Sequence, residues 1–174
     1  MKNSWIQTYT GKQFFPFNPD KESIDIEDIA HALSNICRYT GHSKYFYSVA
    51  EHSVYVSRLL NKKYSLAGLL HDAAEAYLSD VARPIKPYLK LFNETEDKLL
   101  DIIFQKFSLD NIKEVWNNIN YCDLQILALE RNILMESKHD WQIDNVELPT
   151  IEIKCLQPQE ARLFFKKEYE KWSS

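Results

Sequence analysis

Residues 65–78 form an apolar segment that carries three ionisable side chains, and this segment constrains the chain more than any other feature. His71 and Asp72 are adjacent, and Glu75 follows four residues after His71. Residues three and four apart on a helix share a flank, so all three side chains are expected on one side. Burying such groups costs free energy unless they are paired or bind a metal. The segment therefore predicts a metal-binding helix; the alternative is a partly buried helix whose His71 and Asp72 only bond to neighbouring groups.

The His-Asp dipeptide occurs twice in this chain, so the dipeptide alone is weak support for a site. The second copy, His139-Asp140, is followed by Trp141 in a polar stretch. Ile143 stands where the first copy has its glutamate. We assign no function to the second copy.

Composition narrows the classes of protein to which the chain can belong. Its 174 residues, 45% of them hydrophobic and 26% charged, suit one globular domain over residues 1–174. A net charge of −4 without a basic stripe argues against nucleic acid as a partner. The three glycines are far apart, which excludes glycine-rich phosphate loops. If the protein handles phosphate, it must use cations and a metal.

The cysteines and the apolar runs indicate a cellular location. Three cysteines without paired spacing fit a reducing compartment. No run of apolar residues approaches the roughly 20 that a membrane-spanning helix needs, and no secretory signal follows Met1. We expect a cytoplasmic protein without a membrane partner.

Apolar periodicity predicts a mainly α-helical fold with a short hairpin at the start. The hairpin covers residues 5–17, with a turn at Thr10-Gly11-Lys12, and packs on the helical domain. Residues 141–156 are either a loop or a short pair of strands. Helices are predicted over residues 26–37, 47–60, 65–78 with Ser65 as N-cap, 93–107 with Asn93 as cap, 111–135, and from Pro158 onward.

Two further residues could join a metal site. His52 lies among apolar residues of the helix that precedes His71, where a lone histidine is more often part of the core than a ligand. Asp123 lies in a segment that is apolar on nearly all sides, and an unpaired carboxylate there would be costly. The alternative for Asp123 is a buried ion pair, for example with Arg131.

The order His52, His71-Asp72, Asp123 resembles that of the HD-domain metal-dependent phosphohydrolases. The likeness covers residues 25–131 and is greatest to the small 5′-deoxynucleotidases and the related phage deoxynucleoside triphosphate triphosphohydrolases. It implies an HD-domain helical bundle. Its best motifs are Ser48-Val-Ala-Glu-His-Ser, His71-Asp-Ala-Ala-Glu and Asp80-Val-Ala-Arg-Pro-Ile-Lys.

The resemblance implies a role for each matched residue in the metal site. His52, His71, Asp72 and Asp123 would hold one divalent cation, and Asp72 would thereby take part in catalysis. Glu75 matches the family's catalytic acid or base. Two imidazoles and two carboxylates suit Co, Mn, Zn, Ni or Fe. No histidine occurs between Asp72 and Asp123, which argues against a second metal.

The resemblance also implies substrate contacts. Arg38 and Lys86 match phosphate-binding residues, and Asp80 matches the residue that binds the sugar 3′-hydroxyl. Tyr39 stands where the family members carry tryptophan, and we expect its ring to exclude a 2′-hydroxyl. His42, in the loop after Gly41, is a further candidate for phosphate contact, and so are the cations at positions 44 and 83.

The expected activity is hydrolysis of the bond between the 5′-oxygen and phosphorus of a deoxynucleotide. A monophosphate would release phosphate and a triphosphate would release tripolyphosphate, and we favour the monophosphate. A third possibility is a nucleotide- or metal-binding protein without catalysis. We expect a small-molecule nucleotide as partner and, because the last helix is rich in aromatic residues, a homo-oligomer.

Overall fold

The computed structural model describes residues 4–109, 112–136 and 139–173. Within them the protein is mainly α-helical with one two-stranded sheet, so the predicted fold class is confirmed. None of the helices in these three ranges combines the length and apolar character that a membrane span requires. The elements are β1 (Ile6–Gln7), β2 (Gln13–Phe14), α1 (Ile26–Asn35), α2 (Val49–Leu59), α3 (Ser65–Leu69), α4 (Glu75–Leu78), α5 (Lys90–Lys106), α6 (Ile112–Leu134) and α7 (Pro158–Trp172).

The hairpin is shorter than predicted but is firmly attached to the helices. β1 and β2 pair antiparallel, and Gly11 adopts a positive φ of 85° in the turn between them. Phe14 is fully buried and stacks on Tyr77 with ring centroids 4.0 Å apart. The backbone N–H of Thr10 donates to Asp28 of α1 over 2.7 Å. These contacts close one end of the core.

Local residue preferences decide where helices α2 and α7 begin. The Ser48 hydroxyl accepts from the Glu51 N–H, so α2 begins at Val49 and not at the predicted residue 47. Helix α7 begins at Pro158 as predicted, because proline is well suited to the first helical position. The predicted start of α6, Asn111, lies outside the described residues, and α6 runs from Ile112.

Asn93 and Ser65 are not helix caps, and these two predictions were wrong. Helix α5 begins three residues earlier, at Lys90, and the Asn93 amide donates to the Lys86 carbonyl over 2.9 Å. Ser65 is the first residue of α3, and its hydroxyl donates to the Asn61 carbonyl over 3.1 Å. Both side chains instead bind the backbone of the preceding turn.

The predicted continuous helix over residues 65–78 was also wrong, because it is interrupted where its charged residues lie. Helix α3 ends at Leu69 and α4 begins at Glu75. His71 Nδ1 lies 2.8 Å from the Gly68 carbonyl oxygen, which in a continuous α-helix would accept from the Asp72 N–H. Between residues 70 and 77 the backbone hydrogen bonds join residues that are three apart, as in a tight turn. The histidine ring therefore replaces a backbone donor and the chain turns.

Helix α2 occupies the centre of the fold. Every residue from Val49 to Ser57 is buried, and α1, α3, α6 and α7 all pack against α2. A polar side chain on this helix therefore has to find its partners inside the protein.

Glu51 shows how such a side chain is satisfied. Its carboxylate accepts the backbone N–H groups of Lys154, Cys155 and Leu156 and the hydroxyl of Tyr55. In the segment 141–156 the structure describes no strand, so the loop alternative is correct. The buried carboxylate supplies the hydrogen bonds that a neighbouring strand would have supplied.

We expect Glu51→Ala to lower the free energy of unfolding by about 3 kcal/mol or more. The substitution leaves three backbone N–H groups without their acceptor, and an unsatisfied buried donor costs about 1–3 kcal/mol. Urea denaturation followed by circular dichroism measures the loss. Glu94→Ala, at an exposed position, is the control and should change stability little. A loss below about 1 kcal/mol in Glu51→Ala would show that water replaces the carboxylate.

Candidate metal centre

His52, His71 and Asp72 converge inside the protein, and we call them the His-Asp cluster. His52 comes from the first turn of α2, and the other two come from the turn between α3 and α4. One potential ligand atom from each lies within 4.8 Å of the others. Asp72 Oδ2 is 3.2 Å from His71 Nε2 and 3.7 Å from His52 Nε2. These three side chains could hold a metal ion.

The hydrogen bonds of the two imidazoles leave one nitrogen of each ring available. His52 Nδ1 lies 2.6 Å from Glu130 Oε1, and His71 Nδ1 lies 2.8 Å from the Gly68 carbonyl oxygen. Both partners are acceptors, so each Nδ1 carries the hydrogen. Both Nε2 atoms are buried and face carboxylate oxygens at 3.1–3.7 Å, without a regular hydrogen bond among the described residues. A metal ion between the nitrogens and the carboxylates would bind both atoms.

Asp123, on α6, lies beside the cluster but outside its tightest group. Its Oδ1 is 3.1 Å from His52 Nε2, and its Oδ2 is 3.3 Å from Arg83 Nη2. Arg131, the partner considered in the alternative, instead binds Asp144. Burial would raise the pKa of Asp123, but hydrogen bonding and charge from His52 outweigh it and lower the pKa to about 2. The carboxylate is thus ionised and next to a candidate ligand, and its role as the fourth ligand stays a prediction.

Charge within the cluster is closely balanced. Burial would raise the pKa of Asp72, but the His71, His52 and Arg38 charges hold it well below its usual range. Burial and the Arg38 charge act to lower the pKa of His52, but Glu130 and Asp123 outweigh them and raise it to about 9. Before a metal binds, His52 therefore holds a proton among these carboxylates.

Glu75 is a buried carboxyl group at the start of α4, and 5% of it is exposed. Its Oε1 is 3.7 Å from Lys86 Nζ, while its buried Oε2 has no hydrogen-bond partner among the described residues. Burial, followed by the negative charges of Asp72 and Asp80, raises the pKa of Glu75 well above its usual range. The protonated form of Glu75 is therefore favoured, and this buried carboxyl group is a candidate proton donor.

Lys86 and Asp80 border Glu75 from the loop that follows α4. Lys86 Nζ lies 3.0 Å and 3.1 Å from the two carboxylate oxygens of Glu96 on α5. Burial would lower the pKa of Lys86, but Glu96 and then Glu75 outweigh it and raise the pKa, so the ammonium stays charged. Burial raises the pKa of Asp80, against the lowering effect of the Arg38 charge.

Arg38 directs its guanidinium at the cluster from a 3₁₀ turn between α1 and α2. Its Nη1 is 3.7 Å from Asp72 Oδ2 and its Nη2 is 3.2 Å from Glu130 Oε2. The next residue, Tyr39, donates its hydroxyl to Glu130 Oε2 and lies 5.9 Å from Trp141, centroid to centroid. Of the predicted substrate residues, Arg38 therefore contacts the cluster itself, and Tyr39 contacts Glu130, which binds the cluster.

Glu130 and Glu96 are site residues that the sequence interpretation missed. Glu130 lies seven residues after Asp123 on α6, two helical turns further along the same face. That spacing, in an apolar stretch, is a signal that could have identified it. Glu96 had no comparable signal, because it stands in the polar first half of α5.

The structure does not connect His42 or the second His-Asp dipeptide with the cluster. His42 is exposed, and no hydrogen bond or ion pair between described residues links its side chain to the cluster. His139 and Asp140 are exposed, and Asp140 accepts the backbone N–H of Gln142. The phosphate contact of His42 stays a prediction.

The chain is similar to two proteins whose names state no activity. A comparison with protein-family models finds no match for this chain. Over 131 residues the chain is 40% identical to the uncharacterized protein YfdR of Escherichia coli (strain K12), covering 75% of this chain and 72% of that protein. It is 36% identical over 119 residues to the uncharacterized protein RCAP_rcc00048 of Rhodobacter capsulatus, covering 63% and 61%. The chain therefore belongs to the same protein family as YfdR.

Proposed function

We propose that this protein is a metal-dependent phosphohydrolase of the HD type. It hydrolyses the bond between the 5′-oxygen and the phosphorus of a deoxynucleotide, and deoxynucleoside 5′-monophosphates are its favoured substrates. One observation carries the proposal. Two buried imidazole nitrogens face Asp72 without a regular hydrogen bond, beside the buried carboxyl group of Glu75 and the Arg38 guanidinium.

The donor set fits one divalent transition metal. His52, His71 and Asp72 offer two imidazoles and one carboxylate, and we propose Asp123 as a second carboxylate. Such a set suits Co, Mn, Zn, Ni or Fe. When bound, the metal supplies a Lewis acid and lowers the pKa of a water molecule.

The chain's own residues supply the remaining chemistry. Arg38 and Lys86 are cations next to the cluster and Glu75, and they would neutralise charge that develops on the phosphoryl oxygens. The oxygen of water bonds to phosphorus, and the bond from phosphorus to the 5′-oxygen breaks with its electron pair on that oxygen. Glu75 gives its proton to the departing oxygen and regains one from the attacking water. The products are a nucleoside and phosphate.

Asp80 and Tyr39 would select the sugar. The half-buried Asp80 can accept a hydrogen bond from the 3′-hydroxyl, which holds the sugar in place. The Tyr39 ring, next to Arg38, would then occupy the space that a 2′-hydroxyl needs. The proposal therefore includes a preference for deoxyribose.

A triphosphate substrate is the second candidate, and Arg83 favours it. The Arg83 guanidinium is largely exposed, yet it reaches Asp123 beside the cluster. It extends the cationic surface past Arg38 and Lys86, as a longer phosphate chain would need. In that case the same bond breaks and tripolyphosphate is released.

A panel of nucleotides tests the proposed function. Deoxy- and ribonucleoside monophosphates and triphosphates are incubated with chelator-treated protein, with and without Mn²⁺ or Co²⁺, and phosphate and tripolyphosphate are assayed separately. We expect metal-stimulated release of phosphate from deoxynucleoside 5′-monophosphates. Release of tripolyphosphate would favour the second candidate, and nucleotide binding without release would indicate a non-catalytic protein.

We expect Lys86→Met to lower kcat/KM by roughly 10- to 100-fold for every base, because a hydrogen bond to a charged group is lost. Phosphate carries no information about the base, so relative preferences among bases should not change. Lys90→Met removes an exposed lysine four residues away and is the matched control. A variant that changed base preference at unaltered overall efficiency would contradict phosphate binding by Lys86.

A further inference from the structure

The Glu130 carboxylate joins two parts of the site that are far apart in the sequence. Its Oε1 lies 2.6 Å from His52 Nδ1, while its Oε2 receives the Tyr39 hydroxyl and lies 3.2 Å from Arg38 Nη2. One planar group therefore contacts a candidate metal ligand with one oxygen and the candidate phosphate-binding segment with the other.

Glu130 is entirely shielded from solvent, so its charge must be compensated within the protein. The Tyr39 hydroxyl and the Arg38 guanidinium both donate toward its Oε2, so the carboxylate is an acceptor and the partner atom on His52 is the donor. This fixes the hydrogen on Nδ1 and leaves Nε2 facing Asp72 and Asp123.

The second oxygen of Glu130, Oε2, binds a turn whose backbone is strained. Tyr39 and Thr40 have φ values of 57° and 54°, in the left-handed region that residues with a side chain seldom adopt. Such a conformation persists only where its surroundings hold it, and it is common at functional sites. The hydrogen bond from the Tyr39 hydroxyl to Glu130 is one contact that stabilises this turn. The hydrogen bond from the Arg38 backbone N–H to the Tyr47 carbonyl is another.

We propose that Glu130 is a positioning residue for two parts of the site: the metal ligand His52, which we call the His52 half, and the turn that carries Arg38, which we call the Arg38 half. Through Oε1 it orients His52 so that Nε2 faces the metal; through Oε2 it holds the strained turn that presents Arg38. The Tyr39 hydroxyl then has a role of its own, separate from the steric role of its ring. The Arg38 half rests on the proposed function, whereas the His52 half rests only on metal binding.

Glu130→Gln tests the His52 half without any substrate. The amide retains the shape of the carboxylate but loses its charge, and we expect Co²⁺ affinity to fall roughly 10- to 100-fold. Affinity is measured by competition with a chelator, and the absorption spectrum of the Co²⁺ complex reports its geometry. Glu51→Gln is the matched control, since it alters an equally buried carboxylate next to His52 that faces the 154–156 segment. Co²⁺ affinity in Glu130→Gln equal to that of the wild type would overturn the proposal.

A measurement on the wild-type protein covers the case in which Glu130→Gln does not fold. Long-range ¹H–¹⁵N spectra of the Zn²⁺-loaded protein should show His52 protonated at Nδ1 and metal-bound at Nε2. Coordination through Nδ1 would overturn the assignment, because Glu130 could not then be its partner.

Tyr39→Phe tests the Arg38 half. It removes the hydroxyl and retains the ring, so kcat/KM for the best nucleotide should fall roughly 2- to 10-fold while Co²⁺ affinity stays unchanged. Full kcat/KM in this variant would remove Tyr39 from the proposal. If the wild type binds metal but hydrolyses no nucleotide, the proposed function fails and the Co²⁺ result still decides the role of Glu130.

Discussion

Asp72→Asn should give a folded protein that retains almost no metal and hydrolyses nucleotides only at the background rate. Asp72 Oδ2 lies within 3.7 Å of the Nε2 atoms of both histidines and of Arg38 Nη1. The Asp72 carboxylate therefore offsets positive charge from three neighbouring groups. An amide carries no charge and binds metal weakly, so a metal cation would no longer be bound. Elemental analysis of protein purified without chelator should find about one metal per chain in the wild type and almost none in the variant.

The chain contains its own control for this experiment. Asp140→Asn alters the second His-Asp dipeptide, whose residues are exposed and contact no member of the cluster among the described residues. That variant should retain metal and activity. Full metal content in Asp72→Asn would exclude the cluster as the metal site. Undiminished metal in both His52→Ala and Asp123→Asn would defeat the four-ligand assignment.

Glu75→Gln should lower kcat by roughly 10²- to 10⁴-fold and leave the metal content unchanged. Glu75 is buried beside the cluster but is not one of the residues whose ligand atoms converge there. In the proposed mechanism its proton goes to the departing 5′-oxygen, and an amide cannot supply one. The exposed carboxyl of Glu94 offers the matched control, Glu94→Gln, which should behave as the wild type. Loss of the metal in Glu75→Gln would recast Glu75 as a ligand.

The same residue predicts a dependence on pH. Burial and the charges of Asp72 and Asp80 raise the pKa of Glu75, so the protonated form that the proposed mechanism needs extends above the range of an ordinary carboxyl group. Activity should then fall as the pH rises through this raised pKa. Profiles of kcat/KM between about pH 5 and 10 should show an alkaline decline in the wild type that is absent from Glu75→Gln. An identical decline in both proteins would assign it to another group.

Much of the fold and part of the site could be predicted because the signals are local. Apolar periodicity located the helices, and Pro158 marked the start of α7 because its preference acts within one helical turn. His71, Asp72 and Glu75 stood out for the same kind of reason, since charged groups in an apolar run require compensation nearby. Their proximity in the structure follows directly from their spacing in the chain.

What the tertiary structure alone decided is which buried groups become partners. Glu130 binds His52 across 78 positions of sequence, and Glu51 binds Cys155 across 104. No local pattern encodes such a pairing, because it depends on which faces of α2 and α6 meet and on where a distant loop passes. The turn between α3 and α4 belongs here too, since the His71 ring bonds to the Gly68 carbonyl with one nitrogen and faces the cluster with the other. The sequence by itself thus determined most of the helices and the charged groups that need partners. The packing of the helices determined which groups become partners, because hydrogen bonds and ion pairs act over a few ångströms of space and not along the chain.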